Sequence, residues 1–224
     1  MKRDLIALLA SILFVMTVNA QQKEYRSFLF DKFEKGKVIY IKGGQVTKGY
    51  FNYETITEKM LFMLQDSTIF EFARPDIITS VKIGNRTFDH IKNGLFYEKI
   101  KAGNGILYIR RRSRLIPEGK TGPYGTKPGT GAIDNISLIT SMGSTYGLKS
   151  VENFNVEVSN SYYIKHKNKF RRFDSFVDLA KQFKNHEKEI RNFVKEQNLN
   201  FRNQEDIQKA IAYCFQFDNY KTSN

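Results

Sequence analysis

The chain has 224 residues, 41% of them hydrophobic, with 19 Phe, 12 Tyr and a formal net charge of +13. That apolar and aromatic content excludes a disordered polyelectrolyte, and the length admits one large or two small domains with a real core. One cysteine, Cys214, excludes an internal disulfide framework.

The first twenty residues read as a secretory signal peptide. Lys2 and Arg3 give a positive start, residues 5–18 are apolar except for Ser11 and Thr17, and Val18-Asn19-Ala20 places a small residue at the cut. A run of 14 residues is shorter than the roughly 20 that a spanning helix needs. No Cys stands at the cut, which argues against a lipid-attached form, and no later apolar run is long enough to span a bilayer. Cleavage after Ala20 leaves 204 residues with a net charge of +12.

Residues 21–115 read as an antiparallel β domain. Val38-Ile39-Tyr40-Ile41 is followed by Gly43-Gly44, Met60-Leu61-Phe62-Met63-Leu64 by Asp66-Ser67, and residues 77–83 run into Gly84-Asn85. Asn93-Gly94 and Asn104-Gly105 are hairpin signals, because both central positions of the turn need positive φ. Turn signals about every ten residues predict a meander, closing as a barrel or packing as a sandwich.

Residues 116–150 hold seven of the 15 glycines and three of the four prolines, which predicts a flexible Gly/Pro/Ser/Thr-rich segment. Residues 151–173 then supply closing strands. Phe154, Val156 and Val158 alternate with polar residues, and a hairpin is centred near Asn168. Residues 174–217 read as three helices. Asp174 is the expected cap of the first, the second stops near Asn198, and the third starts near Asn203. Ile207, Ala210, Ile211 and Cys214 fall on one face of the third, which predicts a buried cysteine. Strands and helices in separate runs give an α+β fold class.

Several stretches carry a family resemblance. They are Phe30-Asp31-Lys32-Phe33-Glu34-Lys35-Gly36-Lys37-Val38, Lys82-Ile83-Gly84-Asn85-Arg86-Thr87-Phe88 with Gly94-Leu95-Phe96-Tyr97-Glu98, Leu115-Ile116-Pro117-Glu118-Gly119-Lys120 leading to Tyr124-Gly125, and the tail from Gln204-Glu205-Asp206-Ile207 to Tyr213-Cys214. In these the chain resembles a group of functionally uncharacterised secreted proteins of Bacteroidetes-type bacteria. The resemblance implies export, a β-rich N-terminal part and a helical tail, and brings no catalytic residue with it.

No motif specifies a reaction. Gly119-Lys120-Thr121 lacks the P-loop glycine five residues earlier, where Arg114 stands, and Gly122-Pro123 blocks the helix that should follow. Gly129-Thr130-Gly131 has Asp134 where a dinucleotide fingerprint needs glycine. His90, His166 and His186 are not at metal-ligand spacing. No cofactor or metal is therefore expected, and no catalytic residue is assigned.

Basic clustering is the one marked asymmetry. Residues 99–127 carry a net +7, and a strand over 105–115 would set Arg110, Arg112 and Arg114 on one face. Lys165, Lys167, Lys169, Arg171 and Arg172 form a second cluster among aromatics. Aligned basic side chains match phosphate and carboxylate oxygens, although basic residues also guard sheet edges. The function expected is an exported interaction module, periplasmic or extracellular, with Arg110, Arg112, Arg114, Lys165, Lys167, Lys169 and Arg171 as its anion-binding set. Its partners would be an anionic glycan, lipopolysaccharide or an acidic protein surface. Nucleic acid is disfavoured by location and by the absence of a binding motif. The alternative is a hydrolase of envelope or extracellular polymers, which a deep pocket with converging polar groups would favour.

Overall fold

The computed structural model describes residues 27–41, 46–117, 154–166 and 169–217. The expected signal peptide, most of the Gly/Pro-rich segment and Lys167 lie outside the described residues.

Residues 34–110 form eight strands in a meander: β1 (Glu34–Tyr40), β2 (Val46–Glu54), β3 (Lys59–Met63), β4 (Ile69–Glu71), β5 (Ile78–Ile83), β6 (Arg86–Lys92), β7 (Leu95–Ala102) and β8 (Gly105–Arg110). They are followed by β9 (Ser113–Pro117), β10 (Phe154–Val158), β11 (Ser161–His166) and β12 (Lys169–Phe173). Ten of these make one antiparallel sheet in the order β12-β11-β8-β7-β6-β5-β1-β2-β3-β4, and β9 pairs with β10 in a separate ribbon. The sheet curls. Tyr53 on β2 stacks on Phe88 of β6 at 5.8 Å between centroids, and Phe72, just past β4, meets Phe96 of β7 at 6.5 Å. Those strands are not neighbours in the sheet, so only curvature brings them face to face, yet the order runs between two free edges and does not close as a barrel.

The turn between β6 and β7 is the expected Asn-Gly pair, with Asn93 at φ 50° and Gly94 at φ 75°. The next turn differs by one residue. Gly103 (φ 58°) and Asn104 make it, while Gly105 opens β8, where the Phe215 ring leaves no room for a side chain.

Three helices follow: α1 (Phe176–Lys181), α2 (Glu187–Glu196) and α3 (Gln204–Cys214). Ser175, not Asp174, caps α1. Its hydroxyl accepts from the Asp178 amide at 3.0 Å, and Asp174 instead pairs with Arg172 at 2.9 Å. Asn203 caps α3 as expected, accepting from the Glu205 amide at 2.8 Å. The helices cover β7, β8, β11 and β12, and Leu107, Ile109, Ile164, Phe173, Ile207 and Ile211 form their common core. A second core, with Val38, Phe51, Tyr53, Val81, Ile83 and Phe88, fills the curled end. Among the described residues no helix is long and apolar enough to cross a membrane.

The strand expected over 105–115 is broken. β8 ends at Arg110, and Ser113 starts β9 in the other ribbon. Two attachments turn the chain there. The Ser113 amide donates to the Thr55 carbonyl at 2.8 Å, and the Thr55 and Ser113 hydroxyls hydrogen-bond to each other at 2.9 Å. Arg111 is also drawn inward, to Glu98 at 2.6 Å and Gln204 at 2.6 Å.

Candidate anion-binding face

Side chains alternate across a strand, so residues directly opposite one another on successive strands form rows that belong to one face. One row runs Val38, Val81, Phe88, Glu98, Ile109, Tyr162, Phe173 from β1 to β12. It lies on the core face, and all but Tyr162 are buried. Glu98 is its single charge. Arg86 binds it at 2.6 and 2.7 Å and Arg111 at 2.6 Å. Burial alone would raise the Glu98 carboxyl, but the Arg86 hydrogen bonds and the Arg111 charge together hold it below its ordinary value.

The adjacent row is on the opposite face. It reads Lys48, Lys37, Lys82, Thr87, Lys99, Tyr108, Tyr163, Arg172, across eight strands. Five of its eight positions are cations and none is an acid, and all five cations are exposed. Eight strands at about 4.8 Å spacing make the row roughly 34 Å long. Lys35, Lys101 and Lys165 flank it on the same face and are exposed too. Two of its cations are paired: Lys99 with Asp89 at 3.2 Å and Arg172 with Asp174 at 2.9 Å. Among the described residues no ion pair involves Lys37, Lys48 or Lys82.

Aromatics fill the β7–β12 end of this face. Tyr97 and Tyr163 lie 5.0 Å apart, and Phe170 sits edge-on to Tyr108 at 4.8 Å. Burial, together with the neighbouring Tyr163, pushes the Tyr97 hydroxyl up to about 12. Burial also raises Tyr108, which donates to Asp89 at 3.4 Å, so these phenols stay neutral and supply no negative charge near neutral pH.

The residues singled out from sequence divide. Arg110 is on the cationic face, but Glu58 from the β2–β3 turn binds it through both guanidinium arms at 2.5 Å. Hydrogen bonds to Glu58 raise the Arg110 guanidinium above its ordinary value. Arg112 lies between β8 and β9, its amide donating to Asn160 at 3.3 Å. Arg114 is on β9, opposite Glu157 of β10. These three therefore do not share a strand face. Lys165 is on the cationic face. Lys169 and Arg171 alternate to the helix-covered face of β12, opposite His166 and Ile164, and remain exposed because β12 is the sheet edge.

Nothing local in the chain joins Lys37, Lys48 and Lys82, which only the register assembles. The available signal was alternation: Lys35 and Lys37 flank Gly36, and Lys82 sits between Val81 and Ile83. Each lysine is readable as outward-facing, but their alignment is not.

A cleft of about 210 Å³ lies beside the β2–β3 turn and includes Glu58, Lys59 and Glu71. Both carboxylates there are already engaged, Glu58 by Arg110 and Glu71 by Lys59 at 2.5 Å. No protein-family model, curated protein or solved structure matches the chain.

Proposed function

We propose that this protein is an exported, non-enzymatic binding module that holds an anionic partner on the outer face of its sheet. The observation that carries this reading is the cross-strand row of Lys48, Lys37, Lys82, Lys99 and Arg172. Ammonium groups of lysine are compact, strongly hydrated donors that bind phosphate, sulfate and carboxylate oxygens as point charges. Like charges opposite one another on neighbouring strands destabilise a sheet, so the arrangement has no stabilising role of its own. An anion laid along the row removes that repulsion and releases the counterions that otherwise screen it.

The core-face row beside it shows the contrast. Its single buried charge is matched by two arginines, whereas among the described residues no acid pairs with the three consecutive lysines of the outer face. Of the seven-residue set from sequence, only Lys165 and the internally paired Arg110 lie on this face, joined there by Arg172 of the same basic cluster.

Binding of the whole protein to heparin over a salt series tests this. The affinity should fall log-linearly with salt, with a slope of roughly −0.7 to −0.9 per anionic group contacted for a polymer of nucleic-acid-like charge density. No binding at low salt, or an affinity independent of salt, contradicts the reading.

A further inference from the structure

Both ends of the cationic row carry the same pair of side chains, a ring facing a lysine. On β2, Tyr50 stands directly opposite Lys35 of β1, and on β12, Phe170 stands directly opposite Lys165 of β11. Tyr50 is 43% exposed and Phe170 38%, and both belong to the face that carries the row. Phe170 is seated against Tyr108 at 4.8 Å between centroids, so the sheet holds its ring in place. Residues directly opposite on neighbouring strands have their Cβ atoms about 4.5–5.5 Å apart. At that spacing a ring and an ammonium group present an apolar face and a positive charge to one unit of a ligand.

The row between the two pairs is uniform in another way. Its eight positions hold five cations and three hydroxyl side chains, those of Thr87, Tyr108 and Tyr163. Sheet twist limits what can lie along it. Neighbouring strands rotate by roughly 20–25°, so the seven steps from β2 to β12 turn the row through more than a right angle. A flat or rigid surface meets only part of such a row, whereas a linear polymer can follow all of it. Single-stranded nucleic acid is linear and anionic, but proteins hold it with aromatics repeated along the phosphate track, on which successive bases stack. Among the described residues, the exposed rings of this face stand at its two ends, roughly 34 Å apart, with the lysines between them. A sugar acid combines in one unit what each end offers. The C–H face of its ring packs on an aromatic while its carboxylate reaches the lysine opposite, and its hydroxyls suit a row of cations and hydroxyls.

We infer that this face holds a linear acidic polysaccharide of the uronic-acid type. It lies across the strands with one sugar on Tyr50 beside Lys35, another on Phe170 beside Lys165, and carboxylates on Lys37, Lys48 and Lys82 along the way. This rests on the cationic row being the binding face and specifies its partner.

The experiment measures binding of the whole protein to four probes. Polygalacturonate has sugar rings and carboxylates, inorganic polyphosphate has charge without rings, oligothymidylate has phosphates and bases, and dextran is a neutral glycan. Three proteins are compared: the native chain, Tyr50→Thr/Phe170→Thr, and Tyr50→Phe/Phe170→Tyr. Threonine is used because it suits an exposed strand position. The native chain should bind polygalacturonate and polyphosphate at low salt and leave dextran unbound. The threonine variant should lose about tenfold on polygalacturonate, as expected when two ring contacts are removed. Its salt slope should be unchanged, because no cation has been taken away, and it should bind polyphosphate as the native chain does. The variant that keeps both rings should keep the native affinity for polygalacturonate. Native-like polygalacturonate binding by the threonine variant, or an equal loss in both variants, overturns the polysaccharide assignment. Polyphosphate binding that persists in that case leaves the cationic row standing as a general polyanion site. Oligothymidylate bound more tightly than polygalacturonate, and lost in the threonine variant, overturns the assignment in favour of single-stranded nucleic acid. Failure to bind either polygalacturonate or polyphosphate at low salt sinks both the row and its partner.

Discussion

Lys37 on β1 stands directly opposite Lys82 on β5, and on its other side directly opposite Lys48 on β2. Three ammonium groups on consecutive strands, with no acid in their row, are an arrangement that packing alone disfavours. Their neighbours one residue along, Val38 and Val81, are buried in the core, so the register cannot slip to separate the lysines without exposing that core.

Replacing Lys82 with Thr should therefore stabilise the fold while weakening anion binding. The gain is roughly 0.2–1 kcal/mol from relieved repulsion, or about 0.4–4 °C in Tm for a domain of this size. Thermal melts at low salt read it directly, and added salt should shrink the difference by screening the lysines in the native protein. A fall in Tm at low salt would show that Lys82 is held by something other than its exposed row.

Glu98 behaves in the opposite sense. It is a buried acid shared by Arg86 and Arg111, with only 5% of its side chain exposed. Glu98→Gln leaves two arginines facing a neutral group and should cost roughly 3–5 kcal/mol. Because its folded pKa is lowered from 4.5, its contribution is fully present above about that pH and is lost as pH falls through the lower folded value. Urea midpoints should drop in the native chain between about pH 6 and about pH 3, and drop less in the variant over the same range. Parallel curves for the two proteins would show that Glu98 is not the titrating group.

Two glycines hold close approaches that a methyl group would block. A Cβ on Gly36 would lie 2.3 Å from the Lys82 carbonyl oxygen, and one on Gly105 would lie 2.4 Å from the Phe215 ring. Gly36→Ala and Gly105→Ala should each destabilise by about 1–3 kcal/mol, as overpacking does. Gly49→Ala should cost less, because its Cβ would meet only the far end of the Phe51 ring at 3.2 Å. Denaturant midpoints rank the three. Equal losses at Gly36 and Gly49 would contradict the tight β1–β5 approach.

Much of the architecture was legible because its signals are local. Asn93-Gly94 fixed a hairpin through positive φ, and Asn203 marked the start of α3. The burial of Ile207, Ala210, Ile211 and Cys214 follows from their helical spacing. The single sheet linking β8 to β11 was not legible, since that pairing spans about fifty residues of chain. The break after Arg110 was hidden for a similar reason: what turns the chain is Thr55, far away in sequence. The basic site suffered most. Arg110 looked free because its partner, Glu58, comes from another hairpin, and Lys169 and Arg171 looked aligned with Lys165 until the register put them on the other face. The charge-dense stretch does not contain the residues that the register aligns: Lys37, Lys48 and Lys82 are isolated along the chain and are brought into line only by strand pairing.

The burial of Cys214 gives a test of the helical layer. It lies on α3 at 0% exposure within the same core as Leu107 and Ile164. A thiol reagent should label it slowly in the native protein and quickly in denaturant. Rapid labelling of native protein would mean that α3 does not stay seated on the sheet.

The most direct test of the cationic face compares the native chain with Lys37→Gln/Lys48→Gln/Lys82→Gln for heparin affinity across a salt series. The account predicts a salt slope shallower by about 2–3 in the variant, as expected when three lysines no longer release counterions. The variant's Tm should be equal to or above that of the native chain. A variant that keeps the native slope and affinity would contradict the assignment of this row as the binding face.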